Sequence, residues 1–495
     1  MSNYTHKTNS FNSSMVINRD FTFAPSDFRY IESNNTVRIR NFIDDENVGE
    51  QIDTKFYITQ TKTPFKLITI QNMSSLILDK NSGGEFILKN IYSKSTKKIK
   101  KDYLLFSRNA SLGKVSYVTE DSYMILNGGI SMIYIEDELN RYYVMAFFIS
   151  NYGKEQLELK TSSGGTQQNA KRDDLLDIEI PIPKNEKIRN LVSLIVQNII
   201  DKEKQIKIKN EIINSIIEKE LVMHSPISIK MPKSNEILEN NFRFDGGIYS
   251  KEYKIIKGSI ELYKGGYFNL LDRYNANRGQ NLQVSNIGIS IYSNEKKNNF
   301  YRLITNVELT DDRTISTFRY LGNKNQLTLI PKNSIFLSAD GSVGRCIYIQ
   351  DLGKTITNIH PWILISKDEE TPVFENIFTA MFLGYLKTVG YYEKIKDKSN
   401  GGGIKLSHLE NWIKIPDFPK ELKKEIAFNY YNDVEKNKEL SIENYLEKEK
   451  KRNNIIGIWQ LNIELLNLKE QLEQLVNDIV YDREIQISNY IKTID

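Results

Sequence analysis

The chain has 495 residues, 40% of them hydrophobic and 26% charged, and its 67 Lys and Arg against 63 Asp and Glu give a formal charge of +4. That length exceeds what one compact core holds, so two or three domains are expected; with the charge near neutral, any nucleic-acid contact must rest on local basic clusters. A lone cysteine, Cys346, excludes a disulfide framework and a Cys-based metal site and fits a reducing compartment. His6, His224, His360 and His408 stand far apart, never at metal-ligand spacing. The N-terminus lacks the basic and apolar regions of a signal peptide, and no run approaches the length of a membrane span, so a soluble, cytoplasmic protein is expected.

In chain order, residues 1–25 are rich in Ser, Asn and Thr and read as a mobile polar tail. Residues 26–184 alternate short β-type runs (FYITQ, FKLITI, YLLFSR, KVSYV, ISMIYI) with turns, and a helical segment over Arg141–Leu157 interrupts them. This predicts a mixed α/β domain. Residues 185–223 contain no Gly or Pro and carry Ile188, Leu191, Ile195, Ile199, Ile206, Ile213, Ile217 and Leu221 at helical spacing. One amphipathic helix of roughly 55–60 Å follows from a rise of about 1.5 Å per residue. A lone helix of that kind leaves its stripe wet, so it needs either a partner helix or the flank of a domain. Residues 224–240, with two prolines in HSPISIKMPK, read as a linker.

The pattern then restarts. FKLIT at Phe65 is similar to YRLIT at Tyr301, an offset of 301 − 65 = 236, and DYLLFSRNASLGKVSYV at Asp102 is similar to NSIFLSADGSVGRCIYI at Asn333, an offset of 333 − 102 = 231. The strand IEIPIP, with Pro181, is matched by IKIPDF, with Pro416, at 416 − 181 = 235, and Asp27–Tyr30 is similar to Asn241–Phe244. Near-equal offsets in one order predict a tandem duplication, each copy an α/β domain followed by helix. The second domain covers 241–419. A helical, coiled-coil region follows over 420–485, with one helix running from about 420 to 451 on a looser stripe and a second over 455–482 with Leu461, Leu465, Leu468, Leu472 and Leu475 on its seam. Residues 486–495 are a tail. Two such arms are expected to pack antiparallel.

No catalytic constellation is present. The chain lacks a phosphate loop, a G-x-G-x-x-G turn and the Asn-Pro-Pro-Tyr/Phe motif of adenine methyltransferases. Asp417, Glu421 and Lys423 echo a nuclease core, but carboxylates so close on a helix start cannot converge on one metal. Residue types suited to DNA gather instead in paired loops. The first is Ser107, Arg108, Asn109 and Lys114, matched by Ser338, Ser342 and Arg345, where small residues let backbone N–H groups approach a phosphate. The same spacing also serves a plain strand–turn–strand with glycine in the left-handed region. The second loop, SSGGTQQNAKR, holds Ser163, Thr166, Gln167, Gln168, Lys171 and Arg172 and is matched by Ser399, Asn400 and Lys405. Lys97, Lys98 and Lys100 form the densest basic cluster, and in the second copy Arg273, Arg278 and Arg302, with Tyr274 and Tyr301, offer cationic and aromatic groups suited to nucleic acid.

FSRNASLGKV, SSGGTQQNAKRDDLLDIEIPIP with its following helix, FLSADGSVGRC and NGGGIKLSHLENWIKIPDFP together resemble the specificity (S) subunit of type I restriction–modification systems, over about Phe28 to Asp482. The resemblance implies two target recognition domains reading a bipartite double-stranded DNA sequence. It also implies helices that form an antiparallel coiled coil, set the spacing and dock two methyltransferase subunits, with restriction subunits joining them in phage defence. S-adenosylmethionine, ATP and magnesium would then belong to those partners, and this chain would be non-catalytic, with no cofactor of its own. Pro183–Lys187 stands where the family carries a Pro-x-x-Glu-Gln stretch, and the C-terminal helices are longer than a mirror of the first. The Phe-Arg-Phe-Asp opening at Phe242 is similar to S-like subunits of type IIB or methylation-only systems, so such a system stays open, as does a coiled-coil interaction scaffold that binds no DNA.

Overall fold

The computed structural model describes residues 6–8, 29–50, 58–59, 61–109, 111–160, 170–221, 234–239, 246–397 and 402–491. The chain falls into two units: 1–204 with 435–454 and 464–495, and 205–434 with 455–463. Within the segment read as a polar tail, His6–Thr8 pair antiparallel with Arg29–Ile31. Asp27, Phe28, the matching Asn241–Phe244 and most of the linker lie outside the described residues. No described helix is long and apolar enough to cross a membrane.

In the first unit a five-stranded sheet runs in the order Asp45–Val48, Ile130–Tyr134, Leu104–Ser107, Val115–Val118, Ile77–Leu78. Its middle strands are buried along their whole length, as their continuous apolar runs require. A second sheet joins Met124–Leu126, Lys66–Ile68 and Glu85–Phe86, and Thr36–Arg38 pairs with Glu179–Pro181. One core fills between strands of the two larger sheets, with Ile68, Leu105, Met124, Leu126 and Met132 at its centre.

The second unit repeats this plan: Tyr274–Arg278, Pro361–Ser366, Ser334–Ser338 and Cys346–Ile349 in one sheet, and Ser290–Ser293, Arg319–Asn323, Tyr301–Leu303 and Thr355–Ile356 in the other. The duplication extends to strand register. The pair Ser131↔Phe106 returns as Trp362↔Leu337, and Leu104↔Tyr117 as Ile335↔Tyr348, each partner displaced by 231 (362 − 131 and 335 − 104). Lys66↔Met124 returns as Arg302↔Thr355 with the parallel sense kept. Thr36↔Pro181 returns as Tyr267↔Pro416. A slip of one residue would turn every core side chain to the wrong face, so shared register means shared core logic.

The helix predicted after the first domain spans Glu186–Glu220, with 186–204 in the first unit and 205–220 in the second. Leu191, Ile195, Ile199, Ile206, Ile213, Ile217 and Leu221 are buried and Ile188 is half-buried. Each fully buried aliphatic side chain is worth about 1.5–3 kcal/mol, so packing rather than intrinsic propensity holds this helix. Leu461, Leu465, Leu468, Leu472 and Leu475 are likewise buried, on the helix Ile458–Val480.

The helix expected over about 420–451 is interrupted. It runs from Lys420 to Tyr430, and helix resumes only at Tyr445–Asn453. The Tyr430 hydroxyl donates to Tyr348 O and accepts from Tyr348 N, anchoring the last turn to a core strand. The next residues are captured by the returning chain. Asn432 donates to Ile455 O and receives the Gly457 N–H, and a Cβ on Gly457 would stand 2.5 Å from Tyr430 O. The Gly457 N–H thus takes the Asn432 carbonyl, and Gln460 Oε1 accepts the Asn432 N–H, two backbone groups that a continuing helix would need.

Candidate nucleic-acid interface

Each unit carries a tight turn between two buried strands. In the first, the Ser107 backbone N–H donates to Lys114 O, the Gly113 N–H donates to Ser107 O, and Gly113 holds φ +77°. The Ser107 hydroxyl donates to Ser111 O and accepts from the Lys114 N–H. The second unit repeats the backbone pattern through Ser338, Gly344 and Arg345, with Gly344 at φ +87° against the Tyr392 ring. Ser107 and Ser338 are both 0% exposed, so the expectation that they face a ligand is corrected: their hydroxyls close the turn. Ser342 is half-buried within the same turn.

In both copies the second Gly-rich loop returns to this turn by the same bond. The Ala170 N–H donates to Arg108 O at 2.9 Å, and the Ile404 N–H donates to Ala339 O at 2.8 Å. The two loops picked out in sequence thus converge twice, on equivalent frameworks. Ser163, Thr166, Gln167, Gln168, Ser399 and Asn400 lie outside the described residues.

Around the first convergence Arg108 donates to Gly128 O at 2.6 Å, and burial pulls its guanidinium below its usual value. Asn109 lies beside Gly129. Arg172 and Lys97 attach to neighbouring residues of one strand, Glu46 and Asn47, which brings part of the basic segment to the loops. Lys171 begins the short helix that follows, and Lys114 is half-buried on the turn. Lys98 sits over the Tyr92 ring at 5.0 Å and Lys100 is exposed.

Around the second convergence Arg278 lies 3.6 Å over the Trp362 ring and donates to His360 O at 2.6 Å. Burial lowers its guanidinium, and Asp340, 3.9 Å away, acts against that. His360 Nδ1 and Asp340 stand 3.2 Å apart, Trp362 Nε1 donates to Ile404 O at 2.8 Å, and Asn306 donates to Asp340 O at 2.9 Å. Asp340, Trp362 and Asn306 were missed in sequence, because only the fold brings three separate segments to one spot. Lys405, its side chain 71% exposed, pairs with Asp397 at 2.7 Å.

Three predicted cations sit elsewhere or are engaged otherwise. Arg345 is held by Asp311 at 3.0 Å and Leu309 O at 2.7 Å, tying the turn to a neighbouring loop. Arg273 ends the short helix Leu270–Arg273, just before the strand whose far end carries Arg278, and lies 3.8 Å from the Phe268 ring and 3.9 Å from Asp417. Arg302 reaches Leu352 O and lies over the Phe318 ring on the other sheet. The nuclease-like trio does not converge on a metal: Lys423 fills the space between Asp417 and Glu375, and Glu421 turns to Lys424. Among the described residues no group of three or more His, Cys, Asp or Glu side chains could hold a metal ion.

Exposed ion pairs are worth about 0–1 kcal/mol, so Arg172 and Lys405 can exchange a carboxylate for a phosphate at little cost. Their acidic partners preset the geometry of both cations at the converged loops. That combination suits phosphate contact.

Residues 47–218 match the model of the type I restriction modification DNA specificity domain. No curated protein matches the chain. Among solved structures, the S subunit of a type I restriction–modification system from M. genitalium is 14% identical, covering 91% of this chain and 96% of its own, at a TM-score of 0.39. HsdS from Thermoanaerobacter tengcongensis is also 14% identical, covering 91% and 98%, at 0.28. These scores carry no argument; the likeness to the type I restriction modification DNA specificity domain is that of residues 47–218.

Proposed function

We propose that this chain is the non-catalytic DNA specificity subunit of a type I restriction–modification complex, with each unit reading one half of a bipartite double-stranded target. The observation that carries the reading is the same loop convergence, Ala170 on Arg108 and Ile404 on Ala339, built twice on one chain. Two copies of one framework suit two half-sites separated by a spacer. Cations at the convergences supply the salt-dependent share of affinity, and side chains that differ between the copies supply the sequence. The buried seams of the two long helices support a coiled-coil spacer that docks methyltransferase subunits, two by the family's pattern, with restriction subunits joining where the system cleaves. S-adenosylmethionine, ATP and magnesium belong to those partners in this reading.

The test is to sequence the methylome of a host expressing this chain with its neighbouring methyltransferase, beside a strain lacking only this chain. A bipartite adenine-methylated motif that disappears with the chain is the expected result. An unchanged methylome with an active methyltransferase would make the chain a protein scaffold instead.

A further inference from the structure

Resting on that reading, the internal duplication separates what grips DNA from what reads it. Two half-sites of different sequence demand base contacts that differ between copies, while phosphate contacts can stay the same. The shared parts are the sheets, the converged loops and one pair of glycines: a Cβ on Gly49 would stand 2.0 Å from Asn127 O, and one on Gly279 2.0 Å from Asn358 O. Just past those glycines the copies part. From Gly49 to Lys66 is 66 − 49 = 17 positions, whereas from Gly279 to its counterpart Arg302 is 302 − 279 = 23. The inserted length lies in residues 280–299.

This segment leaves the sheet one residue after Arg278, so it springs from the edge of the converged loops. It is held in one shape by amides already committed to it. Gln280 accepts from the Thr328 N–H at 2.9 Å, Asn323 donates to Ile287 O at 3.0 Å and Ser290 Oγ at 2.8 Å, and Asn325 donates to Ile287 O at 3.0 Å. Its outer surface inverts the usual pattern of an edge strand. Val284, Ile289, Ile291 and Tyr292 are 66%, 83%, 60% and 57% exposed, among exposed Gln283, Asn286, Asn294 and Asn298. Contiguous exposed apolar groups of this kind mark an interaction surface. The segment contains no Arg, and its only carboxylate is Glu295.

We propose that residues 280–299 are the base-reading element of the second unit, and that they read A·T pairs in the major groove. Amide side chains match the N6 and N7 edge of adenine, aliphatic groups match the thymine methyl, and the guanidinium that best reads guanine is missing. Lys296 and Lys297 at the tip suit flanking phosphates.

The double variants Ile289→Ala/Ile291→Ala and Gln283→Ala/Asn286→Ala, each in the full chain assembled with its methyltransferase, test this through the motif of methylated adenines. Both pairs are exposed, so an unchanged unfolding temperature is the control. Discrimination at A·T positions of one half-site should fall on the order of 10–100-fold, as the loss of one good base contact implies. The other half-site and the salt dependence of binding should not change. An intact motif in both variants, or a loss confined to G·C positions, would overturn the proposal. If the unaltered complex itself shows no bipartite motif, the specificity reading fails along with it.

Discussion

Ser107 and Lys405 have the same credentials in the sequence, small or cationic residues in a Gly-rich loop, yet the fold gives them different work. Ser107 is wholly buried, and its hydroxyl satisfies both Ser111 O and the Lys114 N–H. Ser107→Ala leaves both without that partner and should cost about 1–3 kcal/mol in chemical denaturation. Ser338→Ala should cost less, since the bond from its hydroxyl to Asp340 O is long at 3.3 Å. Lys405 is exposed and lightly paired, so Lys405→Ala should leave stability alone, weaken DNA binding of the assembled complex across sequences, and reduce its salt slope by about 1. Composition and spacing locate such loops. They do not say which polar group turns inward, because that depends on the strand phase at the end of a buried run.

Among the helices, the apolar stripe was legible because 3.6-residue periodicity survives any packing partner. The polar contacts that set the packing were not, because they join residues some 250 positions apart. Lys202 is 1% exposed, with its ammonium 2.7 Å from both Asn453 and Glu464, and Arg452 clasps the same carboxylate through two bonds of 2.7 Å. The broken helix after Tyr430 was hidden because Asn432 and Gly457, 457 − 432 = 25 positions apart, meet only after the chain reverses. Lys202→Met removes one partner of a buried network and should destabilise by about 3 kcal/mol, the lower end of the usual cost because Arg452 remains. Burial pushes the Glu464 carboxyl up, but Arg452 and Lys202 outweigh it and hold the group below its ordinary value of 4.5. A depressed folded value makes the stabilisation complete above that ordinary value and lost as pH falls below it. The unfolding temperature of the natural chain should therefore drop on acidification below about pH 4.5, the ordinary value, more steeply than that of Glu464→Gln.

At the scale of the whole molecule, the question is whether the two copies are interchangeable. Their strand registers say that the frameworks are, since Thr36↔Pro181 and Tyr267↔Pro416 bracket equivalent spans. Their docking onto helix says that the attachments are not. In the first unit Glu203 accepts from the Ser75 hydroxyl and the Leu76 N–H. In the second, buried Arg313, at φ +59°, donates to Asn210 and to Asn214, one turn apart, and Asn462 brackets the Ile315 backbone. Gly384 leaves room for that guanidinium, and burial pulls it down to about 10, so it stays charged at neutral pH. A chimera with residues 36–181 in place of 267–416 should therefore keep its strand pairing but lose the Arg313 clamp, leaving Asn210 and Asn214 short of partners. Its unfolding temperature should fall, and Asn210→Leu/Asn214→Leu should recover part of the loss, because replacing both sides of a buried polar contact costs less than replacing one. On the proposed function, the methylated motif of that chimera should carry the same half-sequence twice. Persistence of the original asymmetric motif would mean that residues 267–416 do not carry recognition for the second half.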